Sequence, residues 1–82
     1  MSVRETILQL IRQETAIPVP ILETTDLFKD LYLDSLSFVS LLLEIEERYH
    51  ITIELPEMAD CRIAGRLVEL VERKAGKERN DA

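Results

Sequence analysis

The stretch DLYLDSLSFVSLLLEIEERY, residues 30–49, is the most strongly patterned part of the chain. Asp34 or Ser35 is able to cap the orphan amides of a helix start, and from there a dense apolar set reaches Tyr49. At about 100° per residue, Phe38, Val39, Leu41, Leu42, Ile45 and Tyr49 fall on one broad arc, with Ser37, Ser40, Glu44, Glu47 and Arg48 opposite. Leu36 and Leu43 lie at the edge, beside the acidic face, where apolar contacts flanked by charge suit partner docking. Glu46 falls nearer the apolar side, and the wheel offers no reason for it.

Working outward toward the N-terminus, Ser2 and Glu5 match a capping box. Val3, Ile7, Leu8, Leu10 and Ile11 then recur at helical spacing, so a first amphipathic helix runs to about Thr15, where Pro18 and Pro20 prevent its continuation. Residues 21–33 lack a sustained period. Leu27, Phe28, Leu31 and Leu33 are nevertheless too apolar for a free linker and should pin this loop to the bundle, with a helical turn near Asp26–Lys29.

Toward the C-terminus, Ile51-Thr52-Ile53 alternates like a strand but has no partner strand, and reads as an extended connector. Pro56 at a first helical position predicts a short third helix ending near Asp60. Ile63, Leu67, Leu70 and Val71 form the stripe of a fourth, with Arg73 and Lys74 at its negative end and Gly76 as its cap. The expected fold class is all-α: a four-helix bundle with a short third helix and a long connection between the first two. A single domain over residues 1–76 is expected, followed by a frayed tail at 77–82.

Composition limits what such a bundle can do. With 82 residues there is no room for a second core, and a domain of this size is poorly suited to housing a large catalytic cleft. The net charge of -6 repels phosphate backbones and anionic lipid, which disfavours nucleic acid and membrane as partners. The charge is uneven: residues 24–60 carry nine acids and two bases, whereas residues 61–82 carry four acids and six bases. A basic partner surface should therefore meet the middle of the chain. One cysteine, Cys61, no signal-peptide pattern and no long apolar run point to a cytoplasmic, monomeric protein.

Few residues offer chemistry. Ser35 sits at a helix start, where the positive end of the helix dipole favours an anion, so free amides there would help hold a phosphoryl group esterified to its hydroxyl. A serine or aspartate in this place is also an ordinary cap. The two roles are compatible, Asp34 capping while Ser35 stays exposed. His50, the single histidine, lies about 22 Å down the same helix, too far to activate Ser35, and reads as a solvated helix-end residue. Cys61 and His50 supply too few ligands for zinc. Asp26, Asp30 and Asp34 recur every four residues, but they lack the spacing and glycine of a calcium loop and read as a solvated acidic loop.

The run Asp30 to Val39, with Ile45-Glu46-Glu47-Arg48-Tyr49 after it and the Thr25–Leu31 stretch TDLFKDL before it, resembles the acyl carrier protein family. The similarity spans nearly the whole chain, including the capped first helix and the apolar last one. It implies that Ser35 is the attachment point for 4'-phosphopantetheine, transferred from coenzyme A by a phosphopantetheinyl transferase, and that the domain carries without catalysing. Asp34 matches the family's aspartate, expected to help position the transferase. Leu36, Leu43, Glu44, Glu46 and Glu47 lie on the family's recognition helix, expected to meet basic surfaces on enzymes that load or transfer acyl or aminoacyl groups. The chain departs from the family pattern at Tyr32, where many members have glycine, and at Ser37 and Ser40, where carriers for bulk fatty-acid synthesis have acids. Helix four also lacks the usual threonine cap, for which Asp60 could substitute. These departures point to a dedicated, stand-alone carrier in a specialised pathway. The alternative is an acidic helical interaction module without a prosthetic group, in which Ser35 is only a cap.

Overall fold

In the computed structural model, which describes the backbone of residues 2–81 and the side chains of residues 2–76, Ser2 opens the first helix, α1 (Val3–Glu14), with a reciprocal capping box to Glu5. The second, α2 (Ser35–Tyr49), is capped by Asp34 and ends at His50. A four-residue α3 (Leu55–Met58) and a 3-10 turn (Asp60–Arg62) lead into α4 (Ala64–Asp81). The protein is thus the expected all-α bundle with a long α1–α2 connection. Among the described residues the only β-type pairing is an isolated antiparallel bridge between Asp26 and Ile63, and no helix is long and apolar enough to cross a membrane.

The core forms where the stripes of α1, α2 and α4 meet. Ile7, Leu10 and Ile11 from α1, Phe38, Leu41, Leu42 and Ile45 from α2, and Leu67, Val68, Leu70 and Val71 from α4 are buried. Each such side chain contributes about 1.5–3 kcal/mol by leaving water, the main return against the chain's conformational entropy. Leu27, Leu31 and Leu33 from the long loop join the same cluster, with Phe28 packed partly against it, as their apolarity predicted.

Val39 departs from the helical wheel. It is 40% exposed, whereas Leu36 and Leu43, placed by the wheel at the edge of the buried arc, are 80% and 58% exposed. The buried arc of α2 is narrower than the sequence suggests, because a bundle this small covers only the line from Phe38 through Leu41 and Leu42 to Ile45. Val39, Leu36 and Leu43 therefore share the solvent face.

The start of α4 also differs from expectation. Asp60 belongs to the 3-10 turn and caps nothing on α4. Two first-turn amides of α4 are instead met by main-chain carbonyls of the long loop: Ala64 N–H donates to Thr25 at 2.9 Å and Gly65 N–H to Glu23 at 2.9 Å. Residues distant in sequence thus supply the acceptors that a local cap would have supplied. α3 starts at Leu55, one residue before Pro56, and α4 passes through Gly76 instead of being capped there. The expected frayed tail at 77–82 lies outside the described side chains.

The loop before α2 is built by side-chain anchoring. The Asp26 carboxylate accepts from the amides of Phe28 at 2.8 Å and Lys29 at 2.9 Å, making the predicted turn. Asp30 returns a carboxylate to the Asp26 amide at 2.7 Å. Asp30 is exposed, as expected of a solvated acidic loop, and the two aspartates also serve as structural acceptors; no cluster with metal-site geometry occurs among the described residues. Near the start of the loop, the Arg12 guanidinium donates to the carbonyls of Ile17, at 2.8 Å, and Val19, so the chain leaving α1 is clamped to that helix.

Candidate functional site

The start of α2 is held from below. Leu33, buried immediately before Asp34, donates its amide to Leu27 at 3.0 Å, fixing the chain as it enters the helix. One turn into α2, the Phe38 ring packs on Phe28 with centroids 4.9 Å apart and planes tilted by 53°. The Arg62 guanidinium lies over the Phe28 ring, 5.2 Å from its centroid, and reaches the Asp26 carboxylate at 3.4 Å. Offset aromatic contact and a cation over a ring each add to simple area burial. The stack ties the 3-10 turn, the loop and α2 together beneath residues 34 and 35.

Asp34 is the helix cap. Its backbone is extended, and its carboxylate accepts from the Ser37 amide at 2.7 Å. That hydrogen bond, helped by the Ser37 hydroxyl and the Leu36 amide, holds the Asp34 carboxyl below the usual carboxylate range. With the cap supplied by its neighbour, Ser35 is released from that duty: it is the first helical residue and is exposed. The sequence left open whether Asp34 or Ser35 caps, and the structure assigns the task to Asp34.

The sequence expects free amides at this corner to help hold a phosphoryl group. The Ser37 amide is taken by the Asp34 carboxylate, while the Phe38 amide makes the ordinary helical bond to the Asp34 carbonyl at 2.9 Å. An anion on Ser35 would share the helix start with the Asp34 carboxylate.

Along the solvent face of α2, Leu36, Val39 and Leu43 form a discontinuous apolar strip, with Glu44 and Glu47 exposed beside them. Glu46 stands apart: half-buried, its carboxylate accepts from the Ile53 amide at 2.7 Å. That bond satisfies a main-chain donor of the extended connector and explains why an acid lies on the inner side of the helix. No hydropathy pattern shows a bond between residues seven apart across a turn. The residue that the pattern also underplays is Tyr32, 74% exposed and in the left-handed region at φ 56°. Its one sequence signal was a bulky side chain in a place where the resembling family favours glycine.

The remaining candidates stay out of the site. His50, itself left-handed at φ 55°, terminates α2 at the opposite end from Ser35. Cys61 is fully buried, and burial pushes its thiol up to about 11, with Glu57 and Asp60 adding to the rise.

Ser35 thus presents an exposed primary hydroxyl at a helix start, with the cap supplied by Asp34 and the single histidine a helix length away. Among protein families, the model described as phosphopantetheine attachment site matches residues 5–71, and the chain belongs to that family, of which acyl carrier protein domains are members. No curated protein and no solved structure matches the chain. The domain is a site of covalent 4'-phosphopantetheine attachment and a non-catalytic carrier, of the kind that engages phosphopantetheinyl transferases and acyl-handling enzymes.

Proposed function

We propose that Ser35 is the attachment residue, and that the protein holds an acyl or aminoacyl group as a thioester on the resulting arm and presents it to partner enzymes in a specialised pathway. The observation that carries this reading is the division of labour at the start of α2: Asp34 caps the helix while Ser35 is exposed. In loading, the hydroxyl oxygen of Ser35 forms the new phosphoester and gives up its proton to the transferase. The pyrophosphate bond of coenzyme A breaks, and adenosine 3',5'-bisphosphate leaves. The arm supplies a terminal thiol as the thioester carrier.

Asp34 supports this cycle twice. It keeps the helix capped, and its negative charge beside the serine discourages the phosphoester from settling onto the helix end, which suits an arm that must swing between enzymes. Leu36 and Leu43, flanked by Glu44 and Glu47, offer an apolar contact with an acidic rim. Basic partners would be met quickly and released quickly. Glu46, engaged with Ile53, serves the fold of that face instead of contacting partners directly. The serines at 37 and 40 thin the acidic rim, supporting a dedicated set of partners over bulk fatty-acid synthesis.

The test is intact-protein mass after incubation with coenzyme A, magnesium and a broad-specificity phosphopantetheinyl transferase. The parent should gain one phosphopantetheine; Ser35→Ala should gain none while retaining its helical circular dichroism. Modification that survives Ser35→Ala would move the site. A folded parent that gains nothing with several transferases would favour the interaction module without a prosthetic group.

A further inference from the structure

Tyr32 is held at φ 56°, a region that a side chain with a Cβ enters only at a cost, yet its ring is 74% exposed. Glycine there would relieve the strain, and the core would lose nothing, since the ring is not part of the buried cluster. Folding therefore gives no reason for a tyrosine at this position. Strain of this kind persists where the surrounding structure imposes it: the Tyr32 amide donates to Phe28 at 3.1 Å, and the Leu33 amide that follows donates to Leu27, so the backbone on both sides is fixed.

The ring's location supplies a reason. Three residues of chain span at most about 11 Å, so Tyr32 lies within that distance of Ser35, and the exposed Leu36 follows the serine directly in the chain. An enzyme that closes on the Ser35 hydroxyl therefore has the exposed Tyr32 within reach of its contact surface. The surroundings are acidic, with Asp30, Asp34, Glu44 and Glu47 exposed around the apolar positions. Tyrosine is among the side chains most often responsible for interface affinity, because a rigid ring buries much area at little entropic cost.

We propose that Tyr32 is a docking residue for the phosphopantetheinyl transferase, its ring entering an apolar pocket with a basic rim on that enzyme. This rests on the reading of Ser35 as the attachment residue. The ring sets how tightly the unmodified protein is bound, and the transfer step at Ser35 does not depend on it.

The test uses the full chain with coenzyme A, magnesium and a broad-specificity phosphopantetheinyl transferase, following initial rates against carrier concentration. Tyr32→Asn tolerates the left-handed backbone but removes the ring, whereas Tyr32→Phe keeps it. Tyr32→Asn should raise KM for the carrier about tenfold, the scale of one interface anchor, with kcat unchanged and Tm equal to or above the parent's. Tyr32→Phe should stay within about twofold of the parent. A Tyr32→Asn KM within that same margin, an equal loss in Tyr32→Phe, or a lowered Tm in Tyr32→Asn would each overturn the role. A parent that takes no phosphopantetheine would overturn the reading of Ser35 and this inference with it, an outcome distinct from a parent that loads normally beside an unaffected Tyr32→Asn.

Discussion

The two glycines of α4 should respond to the same substitution with opposite signs. A Cβ built on Gly65 would lie 2.7 Å from the Glu23 carbonyl oxygen, 3.0 Å from the Glu23 Cβ and 3.3 Å from its carbonyl carbon. That carbonyl cannot simply retreat, because it accepts the Gly65 amide at 2.9 Å while Thr25, two residues on, accepts the Ala64 amide. Relieving the clash must push the loop strand off the start of α4. Overpacking of this kind costs about 1–3 kcal/mol, and weakening one hydrogen bond adds about 0.5–1.5 kcal/mol, against at most about 1 kcal/mol returned by alanine's better helix propensity. The net for Gly65→Ala is a loss of about 0.5–3.5 kcal/mol, a fall in Tm of about 4–8 °C for each kcal/mol in a domain of this size. At Gly76 nothing lies within 4 Å of the added Cβ, so only the propensity gain remains. Gly76→Ala should raise Tm by up to about 8 °C. Thermal unfolding followed by circular dichroism decides the matter. A Gly65→Ala protein melting at or above the parent would refute the claim that the loop carbonyls are the fixed acceptors of α4.

Three further outcomes follow from charge and burial. Hydrogen bonds from main-chain amides hold the carboxyls of Asp26 and Asp34, and those of Glu5 and Glu57, below their ordinary values, so the folded state binds fewer protons than the unfolded chain in acid. This contribution is complete above the unfolded carboxylate range, near about pH 4, and disappears as pH falls through the folded values, so urea midpoints should decline below that point; a midpoint that held or rose there would contradict the assignment. With its thiol buried and raised to about 11, Cys61 should resist a disulfide reagent in the native unmodified protein at neutral pH and react only on unfolding, whereas the loaded protein should show one fast thiol, that of the arm; rapid native labelling before loading would show Cys61 to be accessible. Glu47→Lys should slow encounter with the transferase at low salt, with the difference shrinking as salt rises and Tm unchanged; salt-independent loading equal to the parent's would remove this face from docking.

Much of the architecture was legible because it is local. The Ser2–Glu5 capping box, the 3.6-residue stripes of α1, α2 and α4, and the stop imposed by Pro18 and Pro20 all depend on residues within a turn or two of each other. The helix start at Ser35 was legible for the same reason, as was the pinning of the loop by Leu27, Leu31 and Leu33. The failures share a physical origin as well. Val39 carries the right phase to be buried, but phase does not say how wide an arc a small bundle covers. Asp60 is a good cap by type, yet the amides it would have served find the Thr25 and Glu23 carbonyls instead, and Gly76, a good terminator by type, stands inside a helix that continues.

The sequence by itself therefore determined the helical class, the order of the elements and the placing of a serine at the start of an acidic helix, since each is governed by short-range pattern and capping chemistry. Only the tertiary structure decided that Asp34 and not Ser35 occupies the Ser37 amide, that Glu46 is held by Ile53, that Leu36 and Val39 face solvent, and that Tyr32 is exposed in a left-handed backbone. Those outcomes depend on which donors meet which acceptors and how far the neighbouring layers reach, and neither is encoded in any single window of the chain.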